Sequence, residues 1–431
     1  MLSFEQAPPV SASFRFFLSA PWFGVAAGLY LAWDGPDALL YRWSPPALAL
    51  THLLTTGFLL QAMCGALLQF IPVATGANVW RPLAIANFVH PLLLAGALLL
   101  AFSLARARTE LLLASELLLA VGMGTFCVVC GIALFLTAAT GISLMALRTA
   151  VAGLAVTTVL GVLLAQAFSG RLPIELPTLT DLHAAWGLGG WALVLLAGVS
   201  FTVVPMFQMT PPYPPWMPRL LPGTLGTALC AAAVAVFAPG PSWLWDLAIA
   251  LALLTAIAFA LVTLRLQQRR RRARTDASFA YFRGAMIMLV AAAVACLVTI
   301  AAPDFAQAHR LSTVIGVLCL VGVFVSAISG MLYKIVPFIS VLKLPHGASS
   351  SLAPPSIKMF IPERSMATQM RLHFAALAML LACLALPQLT RLAGLAFALS
   401  CAWLGTNLLR ALRAYVNIRD QIRADAAIHG S

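Results

Sequence analysis

The sequence predicts an all-α polytopic membrane protein, and three observations carry that expectation. Of 431 residues, 62% are hydrophobic and only 9% are charged, with a mean hydropathy of +0.97, whereas soluble chains carry about 25% charged residues. Uncharged apolar runs recur along the chain at about 20 residues or more, the length that crosses the hydrocarbon. Those runs are continuous, which excludes a β-barrel, where lipid-facing and lumen-facing residues alternate. A soluble enzyme is excluded as well.

Twelve spans are expected, over residues 15–33, 48–72, 84–105, 111–139, 145–168, 182–206, 219–237, 243–265, 280–302, 308–337, 370–387 and 392–415. The fourth and tenth are long enough to tilt or protrude. The first apolar run leads into another span, so it reads as a helix and not as a cleavable signal peptide. The whole chain is one integral membrane domain whose chief partner is the lipid bilayer.

A net charge of +13 would suggest nucleic acid in a soluble protein. Here the basic residues sit in the loops, the pattern of membrane topogenesis, and no nucleic-acid partner is expected. With a cytoplasmic N-terminus, 20 of the 26 Lys and Arg face the cytoplasm. They include Arg269, Arg270, Arg271, Arg272 and Arg274 between spans 8 and 9, and Arg410, Arg413, Arg419 and Arg423 in the tail. Arg42, Arg106, Arg108, Arg171, Arg310 and Arg391 remain on the other side, beside Asp34, Asp37, Glu175, Asp181 and Asp304. The expectation is therefore a bacterial inner membrane with both termini cytoplasmic.

An internal repeat organises the spans. Span 2 closes on GALLQFIP (Gly65 to Pro72), span 6 on GVSFTVVP (Gly198 to Pro205) and span 10 on GMLYKIVP (Gly330 to Pro337). Each is the second helix of a group of four, each has Ile or Val before the proline, and each has glycine two turns earlier. Proline is suited to a helix end, since it breaks the interior hydrogen-bond ladder. Glycine there allows a close approach by a neighbouring helix or a flat ligand. The chain divides into three arcs, residues 15–139, 145–265 and 280–415.

Seven histidines are present. His346 lies in the loop 338–369 and His429 in the tail, without metal-site company. His52, His183 and His309 stand at the extracytoplasmic starts of spans 2, 6 and 10. His90 and His373 stand near the cytoplasmic starts of spans 3 and 11, equivalent helices of arcs one and three. Histidine within a membrane span is costly and points to function, and neutral imidazole is a common axial ligand of haem iron. Without a CxxCH attachment motif, the haem would be b-type. Counted back from the repeat glycine, His52, His183 and His309 lie 13, 15 and 21 residues away. In straight, equally tilted helices His52 and His183 then differ by ~3 Å in depth and His309 by ~12 Å. One turn below stand Thr56, Gly187 and Thr313, small enough to leave room for a porphyrin edge.

Twelve helices in three arcs, with histidines at the outer ends of spans 2, 6 and 10, resemble the haem–copper oxidase subunit I superfamily. The stretch His52-Leu-Leu-Thr-Thr-Gly57 to GALLQFIPVATG is most similar to its small relatives of the nitric-oxide-response (NnrS) type. The resemblance implies that His52 and His309 ligate a haem and that His183 lies nearer a second metal or haem, with copper the candidate metal. It also implies a small gas ligand such as NO or O2 and a redox or respiratory-complex partner. The departures are specific: span 7 has no histidine, span 10 has only His309, and position 187, one turn after the span 6 histidine, is glycine where terminal oxidases have tyrosine. A complete oxygen-reducing copper–haem centre is not expected. A secondary transporter or metal permease and a haem-free assembly subunit of a respiratory complex are the alternatives.

Three other features bear on chemistry. Cys127 and Cys130 form a CxxC on one face of span 4, as small apolar residues or as ligands for a soft metal such as Cu(I). The other six cysteines are scattered and give no disulfide framework. The connector Met206 to Pro218 holds five prolines, a stiff extended segment that joins spans 6 and 7 or packs on a partner. Lys334 is close enough to its helix end to snorkel, and Glu116 is placed for a proton path or a polar contact. No GKS/T loop and no GxGxxG is present, so ATP-driven transport by this chain alone is not expected.

Overall fold

A computed structural model describes residues 4–238, 240–241, 243–271, 275–345 and 359–429, with side chains to residue 425. Arg272, Arg274, His346 and the His429 side chain, named above, lie outside the described set. No strand occurs among the described residues. The helices are α1 (Val10–Asp34), α2 (Pro45–Thr75), α3 (Pro82–Ala105), α4 (Thr109–Leu136), α5 (Leu144–Phe168) and α6 (Leu176–Gln208). They continue as α7 (Trp216–Phe237), α8 (Trp243–Gln268), α9 (Ala277–Ala301), α10 (Leu311–Leu342), α11 (Glu363–Ala382) and α12 (Thr390–His429).

Eleven of these are long and apolar enough to cross a membrane among the described residues. The exception, α11, has 20 residues but starts with Glu363, Arg364, Gln369, Arg371 and His373, which dilute its hydropathy. It begins at Glu363, before the expected 370, with Pro362 in the extended N-cap position. Of the other bounds that differ, α12 runs on from the expected 415 to His429 and α1 starts at Val10, and three lie at the repeat prolines. Each helix runs on past its proline, to Thr75, Gln208 and Leu342, since one lost hydrogen bond near an end is tolerated when neighbouring helices pack around it.

Three helices form the centre. In α2, α6 and α10, 83, 72 and 61% of the most apolar window is buried, against 28–56% for the other eight candidate spans. Nine outer helices form a ring around them: α12 on α1, α1 on α3, then α4, α5, α7, α8, α9 and α11 back to α12. The ring contacts are thin at α1–α3, α5–α7 and α9–α11, where the second helix of each arc passes inward.

The repeat glycines explain how each inner helix seats on the first helix of its arc. A Cβ on Gly65 would meet Phe16 Cβ and Ser13 O at 2.9 Å, on Gly198 Ala146 Cβ at 2.6 Å, and on Gly330 Tyr281 Cβ at 2.6 Å. Ser143 Oγ donates to the Gly198 carbonyl at 2.6 Å. The ring closes where Gly28 of α1 meets Gly394 of α12 backbone to backbone, with Gly394 O 2.6 Å from an added Gly28 Cβ.

Each inner helix also contains a π-helical segment: Leu53–Leu59 in α2, Ala185–Leu193 in α6 and Leu318–Val325 in α10. They begin 12, 13 and 12 residues before the repeat glycine. Such segments widen the helix and recur at functional sites.

Candidate functional site: the histidines at the heads of the inner helices

The α2, α6 and α10 helices begin at one end of the bundle, which also carries the α1–α2, α5–α6 and α9–α10 connections. At the head of α2, Ser44 caps the helix by accepting from the Ala47 N–H at 3.2 Å, and Pro45 and Pro46 occupy the first turn. His52 follows, immediately before the π segment. Its Nδ1 donates to the Leu48 carbonyl at 2.8 Å. A carbonyl only accepts, so the neutral ring carries its lone pair on Nε2, the state a metal ligand needs. Where the backbone register changes from i+4 to i+5, carbonyls lose partners; here Thr55 Oγ1 donates to Thr51 O at 2.9 Å and Thr56 Oγ1 to His52 O at 2.6 Å. Thr56 therefore braces the backbone that holds the histidine.

At the head of α6, His183 comes two residues before its π segment. Its ring lies over α5, with Cε1 at 3.2 Å from where a Cβ on Gly161 would stand and the Thr157 backbone beside it. Its Nδ1 is shut off from solvent and makes no well-formed hydrogen bond, with the Thr157 backbone carbonyl the acceptor nearest the ring. His52 is close enough to His183 to act on it electrostatically. The two half-buried rings, of α2 and α6, are thus neighbours between arcs one and two, and the described residues include no cluster of three or more His, Cys, Asp or Glu able to hold a metal ion.

His309 is placed differently. A separate short helix, Pro303–Ala308, precedes α10, and Arg310 adopts a left-handed conformation (φ 50°) that separates the two. His309 sits in this joint, exposed, with its ring stacked on Phe305 at 4.1 Å and its Nδ1 donating to Phe305 O at 2.9 Å. It is outside α10, nine residues before the π segment begins at Leu318.

His90 and His373 hold matched positions in arcs one and three. His90 Nε2 is 3.1 Å from Ser19 Oγ, and its ring meets Phe16 edge-on at 4.9 Å. His373 Nε2 is 2.7 Å from Ser326 Oγ, and its ring lies against Tyr281 at 5.1 Å. Phe16 and Tyr281 are the residues that seat Gly65 and Gly330. In both arcs the nitrogen that could face a metal is engaged by serine, and the arrangement is that of a satisfied core hydrogen bond.

Cys127 and Cys130 are buried in α4, near Cys64 of α2, with Cys127 Sγ 3.9 Å from Val151 O. No three-ligand set forms there, so no copper site is assigned. Glu116 accepts twice from Gln166 Nε2, at 2.9 and 2.7 Å, which is a polar contact between α4 and α5. Lys334 pairs with Asp276, the N-cap of α9, at 2.6 Å. In the proline-rich connector, Tyr213 turns inward, buried, and shares a 2.9 Å hydrogen bond with Thr263 of α8, so this face of the connector is used by the bundle itself.

Sequence reasoning missed the π segments and the role of Gly161. It also missed a buried network in arc three, where Tyr281 and Tyr333 donate to Gln369 at 2.7 and 3.0 Å and Asn407 donates to Tyr333 at 2.9 Å. Amide and phenol residues within apolar spans were the available signal for the last of these. No protein-family model matches the chain, and no curated protein does.

Proposed function

We propose that this chain is a haem-binding protein of the bacterial inner membrane, of the haem–copper oxidase subunit I type, serving nitric oxide metabolism or respiratory redox chemistry. The observation that carries the reading is His52, whose Nδ1 is bound to the Leu48 carbonyl so that Nε2 is left to ligate, with His183 within its electrostatic reach. The order of the bundle adds support, since twelve helices in three arcs, with the histidine-bearing second helix of each arc turned inward, accord with the features the resemblance rests on.

Bound haem would supply one-electron redox chemistry and affinity for a diatomic gas. The protein's part is ligation and positioning. The Leu48 carbonyl orients the His52 ring and raises its basicity. Gly161 leaves the space into which the His183 ring fits, and the surrounding apolar helices keep water from the site. The pair joins α2 with α6, and that departs from the α2–α10 pairing of the resemblance.

Pyridine haemochrome analysis of protein purified from haem-replete cells should give about one b-type haem per chain. Well under one haem, with no Soret band, overturns the reading in favour of a transporter or an assembly subunit. Orientation has its own test, since 20 of the 26 basic residues favour cytoplasmic termini. Alkaline phosphatase fused after Arg274 should be inactive, and high activity there would invert the topology.

A further inference from the structure

Helices α6, α7, α8, α9 and α10, with the α1–α2 connection, line an open-sided cavity of about 890 Å³. That is within the roughly 300–1,000 Å³ typical of small-molecule sites. No histidine lines it. Its walls are side chains such as Leu188, Ile249, Leu253 and Ile315, and its rim carries Arg42, Asp181 and Arg310. The flanking helices α7, α8 and α9 are the least buried of the bundle, at 28–33% of their apolar windows, so the cavity is walled by helices that border the bilayer.

The rim is asymmetric in charge. Arg42 pairs with Asp181 at 2.7 Å, and both side chains are exposed, so the pair holds weakly. Arg310 is exposed, and no carboxylate among the described residues is recorded in an ion pair with it. Trp43 lies under Arg42, with the guanidinium 4.6 Å from the ring centroid, in the manner of aromatic residues at a membrane interface.

We propose that this cavity holds an anionic phospholipid drawn from the surrounding leaflet, with its acyl chains against the apolar walls and its phosphate on Arg310 and Arg42. Apolar walls and a cationic rim match that molecule part by part. Haem would match the walls and rim but would find no imidazole here.

Native mass spectrometry of the detergent-purified full chain, after exchange into phosphatidylglycerol or phosphatidylcholine bicelles, tests the assignment. Wild type should retain one phosphatidylglycerol through detergent exchange and retain phosphatidylcholine roughly tenfold less, as expected for a lost charge-assisted contact. Arg310→Gln should remove that preference without altering folding, because the side chain is exposed, and Cys296→Phe, at a partly exposed lining position, should abolish retention by filling the cavity. Equal retention of both lipids by wild type, or an unchanged preference in Arg310→Gln, overturns the proposal. So does a haem adduct that Cys296→Phe removes and His52→Ala leaves in place. The proposal is independent of the haem reading: a haem-free protein that retains phosphatidylglycerol sustains it.

Discussion

The heads of α2 and α10 occupy equivalent places in the repeat, yet they present their histidines differently. Both helices carry a π segment 12 residues before the repeat glycine. In α2 the helix is unbroken from Pro45, so His52 is delivered to the interior at a depth fixed by the backbone. In α10 the left-handed Arg310 breaks the chain just upstream, and His309 turns out to the surface against Phe305. The lesson is that a ligand position depends on helical continuity between the residue and the packed core; order along the sequence is not enough. α6 falls with α2: its helix is continuous from Leu176 through His183.

The largest expected effect separates these two behaviours. Under the proposed haem ligation, His52→Ala would remove an iron ligand and open a position for water or an exogenous ligand, so the low-spin spectrum should be lost or shifted to high spin, with membrane yield unchanged. His183→Ala should act likewise. An unchanged haem content and spin state in His52→Ala would break the comparison at its base, because the continuous helix would then have no ligand to deliver.

At the repeat glycines the three arcs should behave alike. Gly65→Ala, Gly198→Ala and Gly330→Ala each place a methyl within 3 Å of the arc's first helix, and overpacking of this kind costs about 1–3 kcal/mol. Thermal unfolding in detergent should show comparable losses for all three, with Gly131→Ala, which meets nothing within 4 Å, as the neutral reference. A loss at only one position would mean that the arcs are not equivalent.

A smaller effect is expected at Thr56. Thr56→Val keeps shape and deletes the hydroxyl that satisfies the His52 carbonyl, which costs about 1 kcal/mol. The haem, if His52 is a ligand, should remain bound with a perturbed spectrum. Wild-type spectra and stability in Thr56→Val would mean that the π segment needs no bracing from this side chain.

Much of this frame was legible in the sequence. Apolar runs announced the helices, and the Gly-to-Pro segments marked the three inner helices because close packing there requires a residue without a side chain. The π segments were not legible, since a change of hydrogen-bond register from i+4 to i+5 leaves no compositional trace in LLTTGFL or LCLVGVFV. The break before α10 was hidden for a related reason. The expected tenth span starts at 308 and so takes in His309 and Arg310, and an arginine in the left-handed region is disfavoured on its own account. The serine partners of His90 and His373 were equally invisible, because Ser19 and Ser326 are 71 and 47 residues away along the chain. Straight-helix depth counting nevertheless set His309 apart, about 12 Å from His52 and about 9 Å from His183, and it is His309 that lies in the joint preceding α10.

The smallest expected effect is at His309 itself. Its ring is exposed, stacked on Phe305 and bonded to a carbonyl four residues back, so truncation removes one surface stack and one local hydrogen bond. Surface substitutions of this kind stay within about 0.5 kcal/mol. His309→Ala should therefore leave thermal stability, haem content and spin state at wild-type values, where the oxidase-type pairing of α2 with α10 requires it to act as His52→Ala does. Measuring the two variants side by side by pyridine haemochrome and low-temperature electron paramagnetic resonance decides between them. Loss of the low-spin signal in His309→Ala, with His183→Ala unaffected, would mean that the joint at Arg310 refolds around haem and carries His309 inward, and the α2–α6 pairing would fall.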